Sequence, residues 1–213
     1  MKRTLVLAVA ASLLATGAAT ATAAPKAKAP KPVTMTYFFH GTQQVGEVGG
    51  QTDGFGTMDA TAPTGASAKS YGVTNYVAGP NSECAGNSLY PVFVGNIDGV
   101  PTGNAQLELF IQGAGTGLVE ARIFADVFEQ ACNEAYVPPL ASATFAVPNG
   151  SATVKVDLKN LNKKGKSYST LMVQLSQAEL LAPPYVARVQ YDAASAASKL
   201  TFTCIPKAGK KTC

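Results

Sequence analysis

The feature that most constrains this chain is a hydrophobic period of two. In Ala105 to Gln112 every odd position is apolar (Ala105, Leu107, Leu109, Ile111). After Gly113-Ala-Gly115-Thr-Gly117, the residues Val119, Ala121, Ile123, Ala125 and Val127 point one way and Glu120, Arg122 and Asp126 the other. A repeat of two places one face of a strand on a core, whereas a helix needs 3.6. Similar segments run over Val33–His40, Tyr71–Gly79, Leu89–Val94, Ala141–Val147, Ala152–Leu158, Leu171–Ser176, Val186–Asp192 and Lys199–Cys204. Gly41 to about Lys69, rich in Gly, Thr and Ala, reads as one long loop. Asn149-Gly150 between two alternating segments is a hairpin signal, and Gly113–Gly117 reads as a hairpin turn too. Roughly eight or nine short strands with turns between them predict an all-β fold, a two-layer antiparallel β-sandwich of jelly-roll type.

The first residues have another character. Lys2 and Arg3 precede an apolar run from Leu5 to Ala15, and Ala21-Thr22-Ala23 forms an A-x-A pattern. This is the layout of a cleaved secretory signal. The run falls short of the roughly 20 residues that a spanning helix needs. The expected organisation is a signal peptide over 1–23, a Pro/Lys/Ala linker over 24–32, a β-sandwich over 33–205 and a basic tail over 206–213. The mature protein is expected outside the cell, with no transmembrane segment.

The formal charge of +4 hides a division. Lys2, Arg3, Lys26, Lys28, Lys31, Lys207, Lys210 and Lys211 sit near the ends, while every acidic residue lies between Glu47 and Asp192. A mildly acidic body argues against nucleic acid as a partner, since that needs a clustered basic face. The basic ends suit an anionic wall polymer or membrane surface, or are simply solvated. Four cysteines remain after the signal, Cys84, Cys132, Cys204 and Cys213. In an exported chain they predict two disulfides, with three possible connectivities. Cys84–Cys132 with Cys204–Cys213 is the favoured pairing, the second closing a short loop around Pro206 and Gly209. Without a C-x-x-C pair, structural zinc is not expected.

Pro91-Val-Phe-Val-Gly95, then Gly99 and Thr102-Gly-Asn-Ala105, then a strand ending Arg122-Ile-Phe-Ala-Asp126-Val127, is similar to the galactose-binding-like jelly roll. Within that group it resembles the non-catalytic C-terminal domain of X-Pro dipeptidyl-peptidase-like hydrolases. Arg188-Val-Gln-Tyr-Asp192 and Leu200-Thr-Phe-Thr-Cys204 fit the closing strands. The resemblance covers about Tyr90 to Cys204. It implies a jelly-roll fold and a non-catalytic role, because the accompanying hydrolase domain does not appear in this sequence. Fold likeness alone assigns no function.

The chemistry-bearing residues are sparse. His40 is the sole histidine, and no G-x-S-x-G elbow supplies a serine for it. The alternative of a small hydrolase built on His40 and the 41–70 loop requires a serine or carboxylate brought beside His40 by the fold. A structural or adhesive surface protein is a third class. Glu108, Glu120 and Asp126 fall on the outer faces of strands. Glu47, Asp53 and Asp59 could gather oxygen ligands for calcium, but their spacing lacks the D-x-[DN]-x-[DN]-G pattern. No cofactor is otherwise implied. Tyr71, Asn75, Tyr76, Asn133, Glu134 and Tyr136 are the candidate ligand-binding residues, since tyrosine rings stack on sugars and amides hydrogen-bond them. The expectation is thus a secreted, non-catalytic β-sandwich that binds a glycan, a cell-envelope polymer or a protein. The sequence leaves its oligomeric state open.

Overall fold

A computed structural model describes residues 30–41, 55–73, 91–115, 117–126, 138–162, 165–178 and 187–213. Among them there is no helix, and ten strands carry the fold. They are β1 (Val33–His40), β2 (Phe55–Asp59), β3 (Lys69–Val73), β4 (Val92–Ala114), β5 (Leu118–Ala125), β6 (Ala141–Ala146), β7 (Asn149–Leu158), β8 (Tyr168–Gln177), β9 (Ala187–Tyr191) and β10 (Lys199–Pro206). The all-β expectation holds, and β1 occupies the very segment that its alternation marks. β2 lies inside the stretch read as one long loop. It is short, and Gly56 breaks its pattern.

β4 organises the molecule. Its 23 residues would stretch roughly 75 Å if straight, far more than a domain of this size is wide, so it bends. The bend falls where its register shifts, between Asn96 and Gly99 against β8 and between Thr102 and Ala105 against β10. Before the bend β4 lies between β2 and β8, and β5 and β6 continue that layer. After it, β4 lies between β7 on one side and β10 then β9 on the other, with β3 beyond β9. The sequence suggested two strands here, Leu89–Val94 and Ala105–Gln112. Gly95 to Asn104 instead continues the strand, with pairing interrupted at Ile97–Asp98 against β8 and at Gly103–Asn104 against β10, where Gly103 has φ of 67°.

All ten strands therefore form one hydrogen-bonded sheet, folded over into two layers. β1 closes the fold by pairing with both β2 and β10. The pairing is antiparallel throughout, except that β2 runs parallel to β4. Where β4 changes neighbour from β10 to β9, the fully buried Ser198 fills the gap. Its hydroxyl donates to the Gln190 carbonyl at 2.6 Å and accepts from the Phe110 N–H at 2.9 Å.

Two turn signals do something other than make hairpins. β4 does not pair with β5, nor β6 with β7. Gly113–Gly117 and Pro148–Gly150 instead carry the chain from one layer to the other. The two crossings lie side by side, with the Gly115 N–H on the Pro148 carbonyl at 3.0 Å and the Val147 N–H on the Gly117 carbonyl at 3.2 Å. Positive φ at Gly115, Gly117 and Gly150 lets both corners turn sharply. The strand-forming pattern on either side was legible, but the partner strand was not.

The inward faces form one continuous apolar cluster. Leu107, Leu109 and Ile111 of β4 meet Ile123 of β5, Leu171 and Val173 of β8 and Phe202 of β10 there, all essentially inaccessible. At one end it becomes aromatic. Phe39 and Phe93 stack at 4.3 Å, and Tyr191 stands edge-on to Phe93 at 5.3 Å and tilted over Tyr71 at 5.1 Å. Such ring pairs contribute about 0.5–1.5 kcal/mol each beyond their burial. This aromatic floor underlies the candidate site.

Candidate functional site

Four polar side chains converge where β1, β2, β3 and β9 end or begin. His40 is the last residue of β1, Asp59 the last of β2, Lys69 the first of β3, and Asp192 follows β9. The register brings them together: His40 lies opposite Thr57 of β2, and Lys69 opposite Tyr191 of β9. His40 Nδ1 is 2.8 Å from Asp192 Oδ1, and Lys69 Nζ donates to Asp192 Oδ2 at 2.5 Å and to the Gly41 carbonyl at 2.7 Å. On the other side of the ring, His40 Nε2 lies 3.0 Å from the Thr61 carbonyl oxygen, with Asp59 Oδ1 at 3.5 Å.

Electrostatics hold both carboxylates ionised. Burial works against charge on Asp192, but the hydrogen bonds from Lys69 and His40 outweigh it and keep its carboxyl below the usual carboxylate range. Asp59 is lowered chiefly by the Thr61 N–H, donated at 2.7 Å, with slight burial opposing and the Thr61 hydroxyl and His40 assisting. Beneath them, burial pushes the Tyr191 hydroxyl well above the ordinary tyrosine value, and its hydrogen bond with Tyr71 adds to this. Asp192 also has φ of 66°. This left-handed backbone is uncommon outside glycine, asparagine and aspartate. It turns the carboxylate back toward His40 and Lys69.

Over this cluster lies an open pocket of about 560 Å³, lined by His40, Lys69, Asp192 and the 61–67 segment. That segment is docked by the Ala194 N–H on the Gly65 carbonyl at 3.1 Å. The lining offers the hydroxyls of Thr61, Thr64 and Ser67 and small apolar groups from Ala62, Pro63 and Ala66. Among the described residues no group of histidine, cysteine, aspartate or glutamate is arranged to hold a metal ion. Of the three suggested calcium ligands only Asp59 is described, and it is engaged with Thr61 and His40. Glu47 and Asp53 lie outside the described residues.

Of the proposed sugar-binding residues, Tyr71 is described and is 4% exposed, its ring against Phe93 and Tyr191 in the core. Asn75, Tyr76, Asn133, Glu134 and Tyr136 lie outside the described residues. On the outer faces, Glu108 pairs with Lys199 at 3.1 Å and Lys155 at 3.7 Å, and Glu120 with Arg122 at 2.5 Å, while Asp126 accepts the N–H groups of Ser169 and Thr170. Sequence reasoning missed Asp192 as the partner of His40, and Lys69 as the second partner of Asp192. Asp192 stands 152 positions from His40, and no local pattern joins them.

The Cys204–Cys213 disulfide is present. It packs on Gly99, where a Cβ would come within 2.7 Å of Cys213 Sγ and 2.8 Å of Cys204 Sγ. Cys84 and Cys132 lie outside the described residues. No helix among the described residues is long and apolar enough to cross a membrane.

No family model matches the chain, and no curated protein does. Among solved structures it is similar to an aminopeptidase from the marine sediment archaeon Thaumarchaeota archaeon, with a TM-score of 0.45 and 13% identity over 80% of this chain. It is also similar to an α-amino acid ester hydrolase, with a TM-score of 0.47 and 12% identity over 79% of this chain. The chain spans 36% of the length of each. At these scores the likeness carries no argument about activity, and the fold assignment rests on the strands themselves.

Proposed function

We propose that the protein is an exported, non-catalytic β module that binds a glycan, a cell-envelope polymer or a protein ligand through the pocket beside His40. One observation carries the non-catalytic part. His40 Nε2 faces the Thr61 carbonyl at 3.0 Å rather than a hydroxyl, whereas a serine-type mechanism needs that nitrogen on the nucleophile's hydroxyl. The signal-like first residues and the Cys204–Cys213 bridge support export. The pocket's volume falls in the range of small-ligand sites, and its exposed hydroxyls and charges suit a polyol. Glycan arrays and pull-downs with envelope polymers test the reading, with Ala66→Arg as the blocking variant. Ala66 is exposed in the pocket lining, so the longer side chain fills the pocket without touching the core. Retention that Ala66→Arg leaves unchanged removes the pocket from the proposal, and no retention on any material removes the binding role.

A second reading has a specific observation behind it. Asp192 sits on Nδ1 as an orienting carboxylate does in a catalytic triad, and Ser67 lines the same pocket. If the 61–67 segment moved, Nε2 would be released toward it. A hydrolase screen of the wild type and His40→Ala separates the two readings: activity abolished by that substitution favours the enzyme.

A further inference from the structure

Taking the chain as an exported binding module, we infer that the end of the sheet opposite His40 is a docking surface for an acidic polysaccharide. Three basic segments far apart in sequence meet there, all against residues 98–104 of β4. β1 begins at Val33, opposite Cys204, which lies opposite Pro101. Lys31, two residues upstream, therefore emerges beside the tail. The tail is hooked onto β4 by the Asp98 N–H on the Cys213 carbonyl at 2.6 Å, the Lys207 N–H on the Asp98 carbonyl at 3.3 Å, and the disulfide. The third, formed by residues 159–162 and 165–167, is tied down at three points. The Leu161 N–H reaches the Gly103 carbonyl at 2.8 Å, the Asn160 N–H reaches Asn104 Oδ1 at 3.2 Å, and the Ser167 hydroxyl reaches the Gly99 carbonyl at 3.3 Å.

The fold thus gathers Lys31, Lys159, Lys166, Lys207, Lys210 and Lys211 at one end, all exposed. Among the described residues, half as many carboxylates stand near them. Asp98 pairs with Lys207 at 2.5 Å, Asp157 accepts from Gln106, and Asp126 accepts the Ser169 and Thr170 N–H groups. The remaining positive excess attracts a polyanion and falls off with salt. The lysines ride on fixed backbone: Asn162 clasps Lys166 through both its N–H and its carbonyl, at 3.3 and 2.7 Å. Less ordering entropy is then lost on binding.

The surroundings select the polyanion. Thr102, Asn104 and Asn160 lie among the lysines and offer hydroxyl and amide groups to sugar hydroxyls. The only exposed large apolar side chain among the described residues is Leu118. It lies at the far end of β5 from Ala125, which is the end nearer the lysines. Among the described residues, therefore, nothing apolar is set to enter a bilayer and no exposed ring is set to stack on a nucleic acid base.

The test uses the purified exported protein on immobilised polygalacturonate, with dextran as the neutral control and phosphatidylglycerol vesicles as the membrane arm. Retention on polygalacturonate is expected at low salt and lost as NaCl rises. Combining Lys159→Ser, Lys166→Ser, Lys210→Ser and Lys211→Ser should weaken it roughly ten- to hundredfold at unchanged Tm, since each exposed charge contributes modestly. Ala66→Arg should leave it intact. Three results overturn the surface: no salt-sensitive retention, retention indifferent to the four substitutions, or tighter binding to the vesicles. A protein that binds a neutral glycan in the His40 pocket but ignores polygalacturonate loses this surface and keeps its role as a binding module. Failure on every glycan and envelope polymer ends both.

Discussion

Asp192 is a residue whose backbone, charge and position all serve one contact set. Its folded pKa lies below the ordinary carboxylate value, so its ionised form contributes stability. That contribution is fully present above the unfolded value of about 3.9 and is lost as pH falls through the folded one. Asp192→Asn keeps a residue that tolerates φ of 66° and removes the charge. The variant should be less stable than the wild type at pH 7, and the gap should shrink as pH drops below about 4. Urea unfolding at a series of pH values reads this; a gap that persists at acid pH would show that Asp192 matters through shape rather than charge. Gly56 is the opposite case, a position defined by absence. A Cβ there would sit 2.5 Å from both the His40 carbonyl and the Phe93 ring. Gly56→Ala should cost about 1–3 kcal/mol by overpacking, and thermal unfolding measures it. A neutral result would mean that β2 shifts freely beside β1.

Among elements, β4 and its clasp stand out. Cys204 is fully buried where β10 lies between β1 and β4. The bridge does more than pin a tail, because the same segment carries backbone hydrogen bonds to Asp98. Closing so short a loop stabilises by about 2–3 kcal/mol on the chain-entropy model. Cys213→Ser should therefore lower Tm measurably and speed amide exchange at Asp98 and Lys207. An unchanged exchange pattern would show that the hydrogen bonds hold the tail without the bridge. The expected Cys84–Cys132 bond remains a separate proposal, with roughly 3–4 kcal/mol for its longer loop. Non-reducing peptide mapping decides it, and a peptide joining Cys84 to Cys204 would end it.

At the scale of the whole molecule, β1 separates two unlike ends. His40 and its carboxylates close one end, and the lysines surround the other, where β1 starts. Binding at the two ends should therefore be separable. Raising salt from about 50 mM to 1 M shortens the screening length from roughly 14 to 3 Å, and should abolish polyanion retention while sparing a neutral ligand in the pocket. Ala66→Arg should do the reverse. Salt titrations of both proteins on both materials read this directly, and a variant that loses both together would indicate one shared surface.

By itself the sequence determined the all-β class, the inward-facing residues of most strands, and a short disulfide near the chain's end. Alternation is a local property, so Leu107, Leu109 and Ile111 announce their face without reference to any partner. His40 could be singled out because it is the only histidine. Which strand pairs with which was decided by tertiary structure alone. Asn149-Gly150 carries a hairpin's chemistry, yet its strands pair with β5 and β4 in different layers. A turn fixes only a local reversal, whereas pairing is settled by which faces must be buried together. β2 escaped notice because five residues are too few for a period to emerge. The pocket and the lysine end were equally hidden, for one reason: Asp192 and His40, and Lys159 and Lys210, meet only through the register of strands that lie far apart along the chain.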